Sequence, residues 1–222
     1  LMPIIQSLGG ASSKGFGSFG IGTRTSGPTT IGEFWEGGYY AGQISFGGNT
    51  YYLLVSPKSS GENTSVNYKT TATSDSLGLS TYDGATNTAE LDSATYPAAQ
   101  WCAALSINGY SDWYLPALYE LEICYYNLKP TTASNSTSYG TNSYAVPSRG
   151  SNYTTGSPAQ TSVAAFQSGG AQAFATSART WTSTNPGVGL TTATRIDFID
   201  GGQFNNAKNQ SLIARAIRKV AV

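Results

Sequence analysis

The chain has 222 residues, enough for one well-buried core with length left for an arm or long loops. Its 12 basic and 12 acidic side chains cancel, and charged residues make up only 11% of it. That balance excludes an electrostatic case for nucleic acid or an anionic membrane surface, which need an excess of Lys and Arg. The 12% aromatic content argues equally against disorder.

Residues 1–34 read as an extended N-terminal docking arm. SLGGASSKGFGSFGIGTRTSGPTT is dominated by Gly and Ser, yet Phe16, Phe19 and Ile21 are hydrophobic plugs without a core of their own. Such a segment gains order by lying against a neighbouring subunit, where glycine permits close approach and each aromatic fills a pocket. A flexible leader is the alternative. Residues 35–222 read as one domain of α+β class. GGYYAGQISFGGNTYYLLVSPK predicts a hairpin, with Gly47-Gly48-Asn49 as the turn. Residues 59–95 read as surface loops around a short element near Leu77 to Tyr82.

The stretch from Tyr96 to Leu128 predicts helix, tight turn, short strand and helix. Ala98, Trp101, Cys102 and Leu105 recur at helical spacing, and Asn108-Gly109 supplies a left-handed stop. Trp113 to Leu115 form the strand, and Pro116 falls in the first turn of the second helix. That helix carries Leu118, Leu121, Tyr125 and Leu128 on one face and stops before Lys129-Pro130. Thr131 to Ser162 is a second polar stretch, of a length uncommon unless it carries function or packs on a partner. Ser162 to Ala175 has weak helical character. Thr180 to Thr184, Ala193 to Ile199 and Ile213 to Val220 alternate apolar with polar and predict antiparallel strands.

The chain has no histidine, which removes the commonest general base and zinc ligand, and its two cysteines are too few for a transition-metal site. Cys102 and Cys124 fit either a disulfide between the two helices or two free buried thiols. GFGSFG at 15–20 matches a dinucleotide-loop spacing but has neither the preceding strand nor the following helix. Paired carboxylates remain for glycoside chemistry, but Glu120 and Glu122 are two apart on a helix and point in different directions. Asp83, Asp197 and Asp200 read as turn caps or, with Asn87, as oxygen ligands for calcium, although no calcium-loop spacing is present. No catalysis, metal or cofactor is expected. Recognition fits the C-terminal surface better: Trp181, Asn185, Arg195, Gln203, Asn205, Asn206, Lys208 and Asn209 combine aromatic stacking with amide donors and acceptors, and are the candidate ligand-binding residues. For Trp181 a core position, and for the asparagines a polar turn, are the alternatives.

NGYSDWYLPALYEL, with TWTSTNP, FIDGGQ and ARAIRKV downstream and YYLLVSPK and YDGATNTAEL upstream, resembles the C-type lectin-like domains of bacterial surface and phage tail proteins. The resemblance covers most of residues 35–222. It implies a C-type lectin-like fold of two helices on short antiparallel sheets, an exposed ligand face between the tryptophan strand and the last strand, and structural roles for Arg215 and Arg218. The calcium-binding tripeptides of the calcium-dependent lectins are missing. The implied function is a phage tail-fibre or tail-tip protein, assembled in the host cytoplasm without a signal peptide or membrane insertion. It would bind a host-surface glycan or protein by multivalent adhesion, with the arm docking on other virion subunits and a trimer as the oligomer. The alternative is a structural virion subunit, in the head or tail, that contacts only other virion proteins.

Overall fold

The computed structural model describes residues 26–222; Phe16, Phe19, Ile21 and the glycine pattern at 15–20 lie outside the described residues. In chain order these form β1 (Phe34–Trp35), β2 (Gly38–Phe46), β3 (Asn49–Val55), α1 (Lys58–Gly61), β4 (Glu62–Asn67), α2 (Gly84–Glu90), α3 (Pro97–Ala103) and α4 (Leu118–Leu128). They continue with β5 (Ala145–Val146), β6 (Arg179–Trp181), β7 (Thr192–Asp197), β8 (Gln203–Ala207), β9 (Ser211–Arg215) and β10 (Ile217–Ala221). The architecture is α+β, mostly antiparallel sheet with few helices.

The hairpin forms as the sequence predicts. β2 and β3 pair from Tyr39↔Val55 to Phe46↔Asn49, with a bulge between Tyr40 and Gly42, and Gly47 and Gly48 turn the chain at positive φ. One sheet runs β1-β2-β3-β10 with β5 also on β2, and the other runs β4-β9-β6-β7-β8. The expected single strand Ile213 to Val220 is broken at Ala216, where the chain passes from the second sheet to the first. Its partner makes the same crossing, because β3 leads through α1 into β4, which pairs with β9. Ser56 N–H donates to the Ala216 carbonyl at 3.1 Å, and Ala216 N–H donates to the Gly61 carbonyl at 2.9 Å, so the crossing keeps its backbone bonds.

The apolar side chains separate into two clusters. One gathers Ile44, Leu53, Leu121, Tyr125, Leu128, Phe166, Phe174 and Phe198 between α4 and the sheets; the other gathers Tyr68, Leu91, Trp113, Leu115, Trp181 and Ala193. Cys124 lies in the first and Cys102 in the second, and both are free and buried. Burial pushes both thiols well above their ordinary range, for Cys124 against the pull of Arg215.

Other expectations need correction. Trp113 to Leu115 is not a strand: only Tyr114 pairs, in an isolated bridge to Ile217. Pro116 precedes α4, whose first residue is Leu118. Asn108 and Gly109 adopt positive φ, but they turn the Ile107 to Tyr110 bridge instead of ending α3. The stretch 59–95 contains β4 and α2 as well as loop, Gln203 to Ala207 is a strand, and Ser162 to Ala175 holds only a 3-10 turn at Ala164–Phe166. Thr29 to Glu33 already pack against the domain: Ile31 meets the first cluster, and Gly32 N–H donates to the Tyr40 carbonyl at 2.8 Å.

Candidate functional site

The eight residues nominated from the sequence divide between the scaffold and the surface. Trp181 is fully buried in the second cluster and donates its Nε1–H to the Val66 carbonyl at 3.0 Å. Asn185 is buried, with Nδ2 donating to Asp75 Oδ1 at 3.0 Å and to the Leu77 carbonyl at 3.2 Å. Lys208, also buried, donates to the Leu190 carbonyl at 3.0 Å and pairs with Asp75 at 3.1 Å. Lys69 meets the same Asp75 carboxylate at 2.9 Å. Burial pushes that carboxyl upward, but the Lys69 and Lys208 ammonium groups outweigh it and hold it below its usual range. These three nominated side chains are therefore scaffold, and a ligand does not reach them.

Four of the other five lie on β7 and β8, where β8 is the last strand of its sheet, and Asn209 lies on the turn after β8. Register sets Arg195 opposite Phe204 and Thr194 opposite Asn205. Side chains alternate along a strand, so Phe204 and Asn206 share one face with Arg195, while Gln203 and Asn205 share the other. Asn205 and Asn206, adjacent in sequence, do not form one patch. On the first face the Arg195 guanidinium lies 4.8 Å from the Phe204 ring centre, and its Nε donates to Asn206 Oδ1 at 2.7 Å. Arg195 also pairs with Asp197, and Asn206 donates to Gln210. Arg195 is itself only 6% exposed and acts as the support. Phe204, passed over in the sequence, is 44% exposed and meets Tyr139 of the long polar loop edge to face at 5.7 Å. On the second face Thr194 donates to Asn205 Oδ1 at 3.2 Å, leaving the Asn205 amide nitrogen unpartnered among the described residues. Asn209 is exposed at the turn that follows.

The carboxylates are engaged inside the fold. Glu120 is fully buried and accepts from Ala117 N–H at 2.8 Å, Gly84 N–H at 3.0 Å and the Tyr114 hydroxyl at 2.8 Å. Burial pushes its carboxyl up to about 7 against these bonds. Asp83 caps α2 through Thr86 N–H at 3.2 Å and meets Lys219 at 2.7 Å. Asn87 is tied to Ser80 in both directions, and Asp200 accepts from Gly202 N–H at 2.9 Å. Among the described residues no group of three or more Cys, Asp or Glu side chains is arranged to hold a metal ion, and no helix is long and apolar enough to cross a membrane.

The closing strands carry the remaining charges. Arg215, fully buried, donates from Nε and Nη2 to the Ser56 carbonyl and pairs with Glu62 at 3.0 Å. Arg218 grips Asp112 with two bonds of 2.7 and 2.9 Å, donates to the Glu36 carbonyl at 2.6 Å and lies 3.9 Å from the Tyr110 ring centre. Arg215 holds the crossing between the sheets, and Arg218 ties β10 to Asp112 and to the turn between β1 and β2. No family model matches the chain, and neither a curated protein nor a solved structure does.

Proposed function

We propose that this chain is a non-catalytic recognition protein of a phage virion, with a C-type lectin-like domain that attaches a tail fibre or tail tip to a host-surface glycan or protein. The observation that carries the reading is the terminal strand β8, an uncharged edge whose Phe204 is exposed on an Arg195 support and whose Gln203 and Asn205 present amide groups. An aromatic side chain on an arginine, with the Asn206 amide on the same face and the Gln203 and Asn205 amides on the other, is the composition that binding surfaces favour. The residues of the resembling motifs are consistent with it, because Trp113, Leu115, Glu120, Arg215 and Arg218 are all buried or bonded inside the scaffold and leave β8 free to differ. Weak single contacts suffice when several copies sit on one particle, since the second contact then forms at a high effective concentration.

The test is saturable binding of the fluorescently labelled chain to candidate host cells, comparing Phe204→Ala with Asn206→Ala on one face against Gln203→Ala with Asn205→Ala on the other. Loss in one pair with unchanged thermal stability supports the reading and tells which face makes contact. Absence of binding by the folded, assembled protein rejects it in favour of a virion subunit that contacts only its neighbours.

A further inference from the structure

A second site lies away from β8, where the loop after α4 encloses a cleft of about 240 Å³ lined by Tyr126, Arg149, Ser151, Asn152, Tyr153 and Thr154 among others. Two of the lining residues, Arg149 and Tyr153, are fixed from behind by the fully buried Glu122 carboxylate, which accepts from Arg149, from the Tyr153 hydroxyl and from Asn142 Nδ2 at 2.6 Å. Asn142 Nδ2 also donates to the Tyr119 carbonyl at 3.0 Å, and its Oδ1 accepts from Tyr144 and Ala145 N–H at 3.1 Å. Asn135 pins the far side: it accepts from the Tyr125 hydroxyl at 2.6 Å and donates to the Thr154 and Pro158 carbonyls at 2.9 and 3.0 Å. Gly140, at φ +123°, passes so close to Tyr153 that a Cβ there would sit 2.4 Å from the ring. The cleft is thus built by buried polar bonds and is formed before any ligand arrives.

Its chemistry points to an uncharged, hydroxyl-rich ligand. The Arg149 guanidinium lies over Tyr126, 4.1 Å from the ring centre, and its charge is met by Glu122. A ligand anion would compete with Glu122 for the same guanidinium and place a second negative charge near a buried carboxylate. Arg149 Nη1 makes no hydrogen bond among the described residues. At the rim Ser151 and Asn152 are exposed, and their side chains make no hydrogen bond among the described residues. The volume falls below the roughly 300–1,000 Å³ of sites for drug-sized ligands, which suits a single ring.

We propose that this cleft binds one uncharged sugar ring, a site separate from β8 that rests on the recognition reading only in taking the sugar from a surface glycan. The test is amide chemical-shift titration of the full chain with methyl glycosides of glucose, galactose, mannose, rhamnose and N-acetylglucosamine, with inorganic phosphate and N-acetylneuraminic acid as the anionic arms. The expected result is saturable shifts at Gly150, Ser151 and Asn152 with at least one neutral glycoside. Affinity read at Gly150, Ser151 and Asn152 should weaken roughly tenfold, the loss of about one hydrogen bond, in Ser151→Ala with Asn152→Ala. No shift with any glycoside, shifts at these residues that survive the substitutions, or shifts with the anions alone overturn it. Cell binding that persists while every glycoside fails rejects the cleft and leaves the adhesion reading standing.

Discussion

Glu120 offers the sharpest test of how the scaffold is held. Its carboxyl has an ordinary value of 4.5 and is pushed to about 7 in the folded chain by burial, although three donors and the more distant Lys219 oppose the rise. An acid whose folded value exceeds its unfolded value binds more protons when folded, so stability is full below pH 4.5 and falls as pH rises through about 7. At about 1.4 kcal/mol per pH unit, the loss across that window is on the order of 3 kcal/mol. Glu120→Gln is the informative substitution. Its amide oxygen still accepts from Ala117 and Gly84 N–H, and its amide nitrogen donates to the Tyr114 hydroxyl, so the bonds survive without the charge. Urea unfolding at pH 5 and pH 8 should show the wild type losing about 2–3 kcal/mol more than the variant, since a part of the window already lies below pH 5. Glu122, raised in the same direction by burial, contributes to both proteins and drops out of the difference. Equal pH slopes, or a wild type that gains stability towards pH 8 relative to the variant, would refute the argument that burial dominates here.

Gly140→Ala should destabilise by at least about 2 kcal/mol in thermal or urea unfolding, because it combines a positive φ with a close approach to buried Tyr153. Arg218→Ala should cost about 2 kcal/mol, less than the roughly 3–5 of a fully buried pair, since the Asp112 side chain is 53% exposed and rehydrates. Arg218→Lys should recover little of that loss, because an ammonium cannot reproduce the two-pronged bond to Asp112. Cys102 and Cys124 should react with a thiol reagent only on unfolding, at a rate independent of reagent concentration once unfolding is limiting, and reductant should leave the melting temperature unchanged.

What the sequence showed and what it hid follow from the range of the signals. The hairpin was legible because two alternating runs flank Gly47-Gly48, and α4 because its apolar residues repeat at helical spacing up to Pro130. β4 and β8 were hidden, since ENTSVN and QFNNA carry almost no apolar alternation and are strands only because β9 and β7 pair with them. The burial of Glu122 also had no local sign, because its partners Asn142, Arg149 and Tyr153 are far along the chain. At the candidate surface, residue type alone identified amides but did not separate scaffold from surface. Asn185 and Lys208 look as polar as Asn205 and Asn209, and only the position of Asp75 draws the first two inside. Phe204 was passed over because a lone aromatic in a polar run gives no indication of which way its strand faces.

Hydrogen exchange of the intact chain, with and without isolated envelopes of a host that it binds, tests the central claim most directly. The account predicts slowed exchange for the amides of residues 203–210, and for 150–152 where the envelope carries a neutral glycan that fits the cleft. Binding that leaves residues 203–210 unprotected would contradict the assignment of β8 as the contact surface.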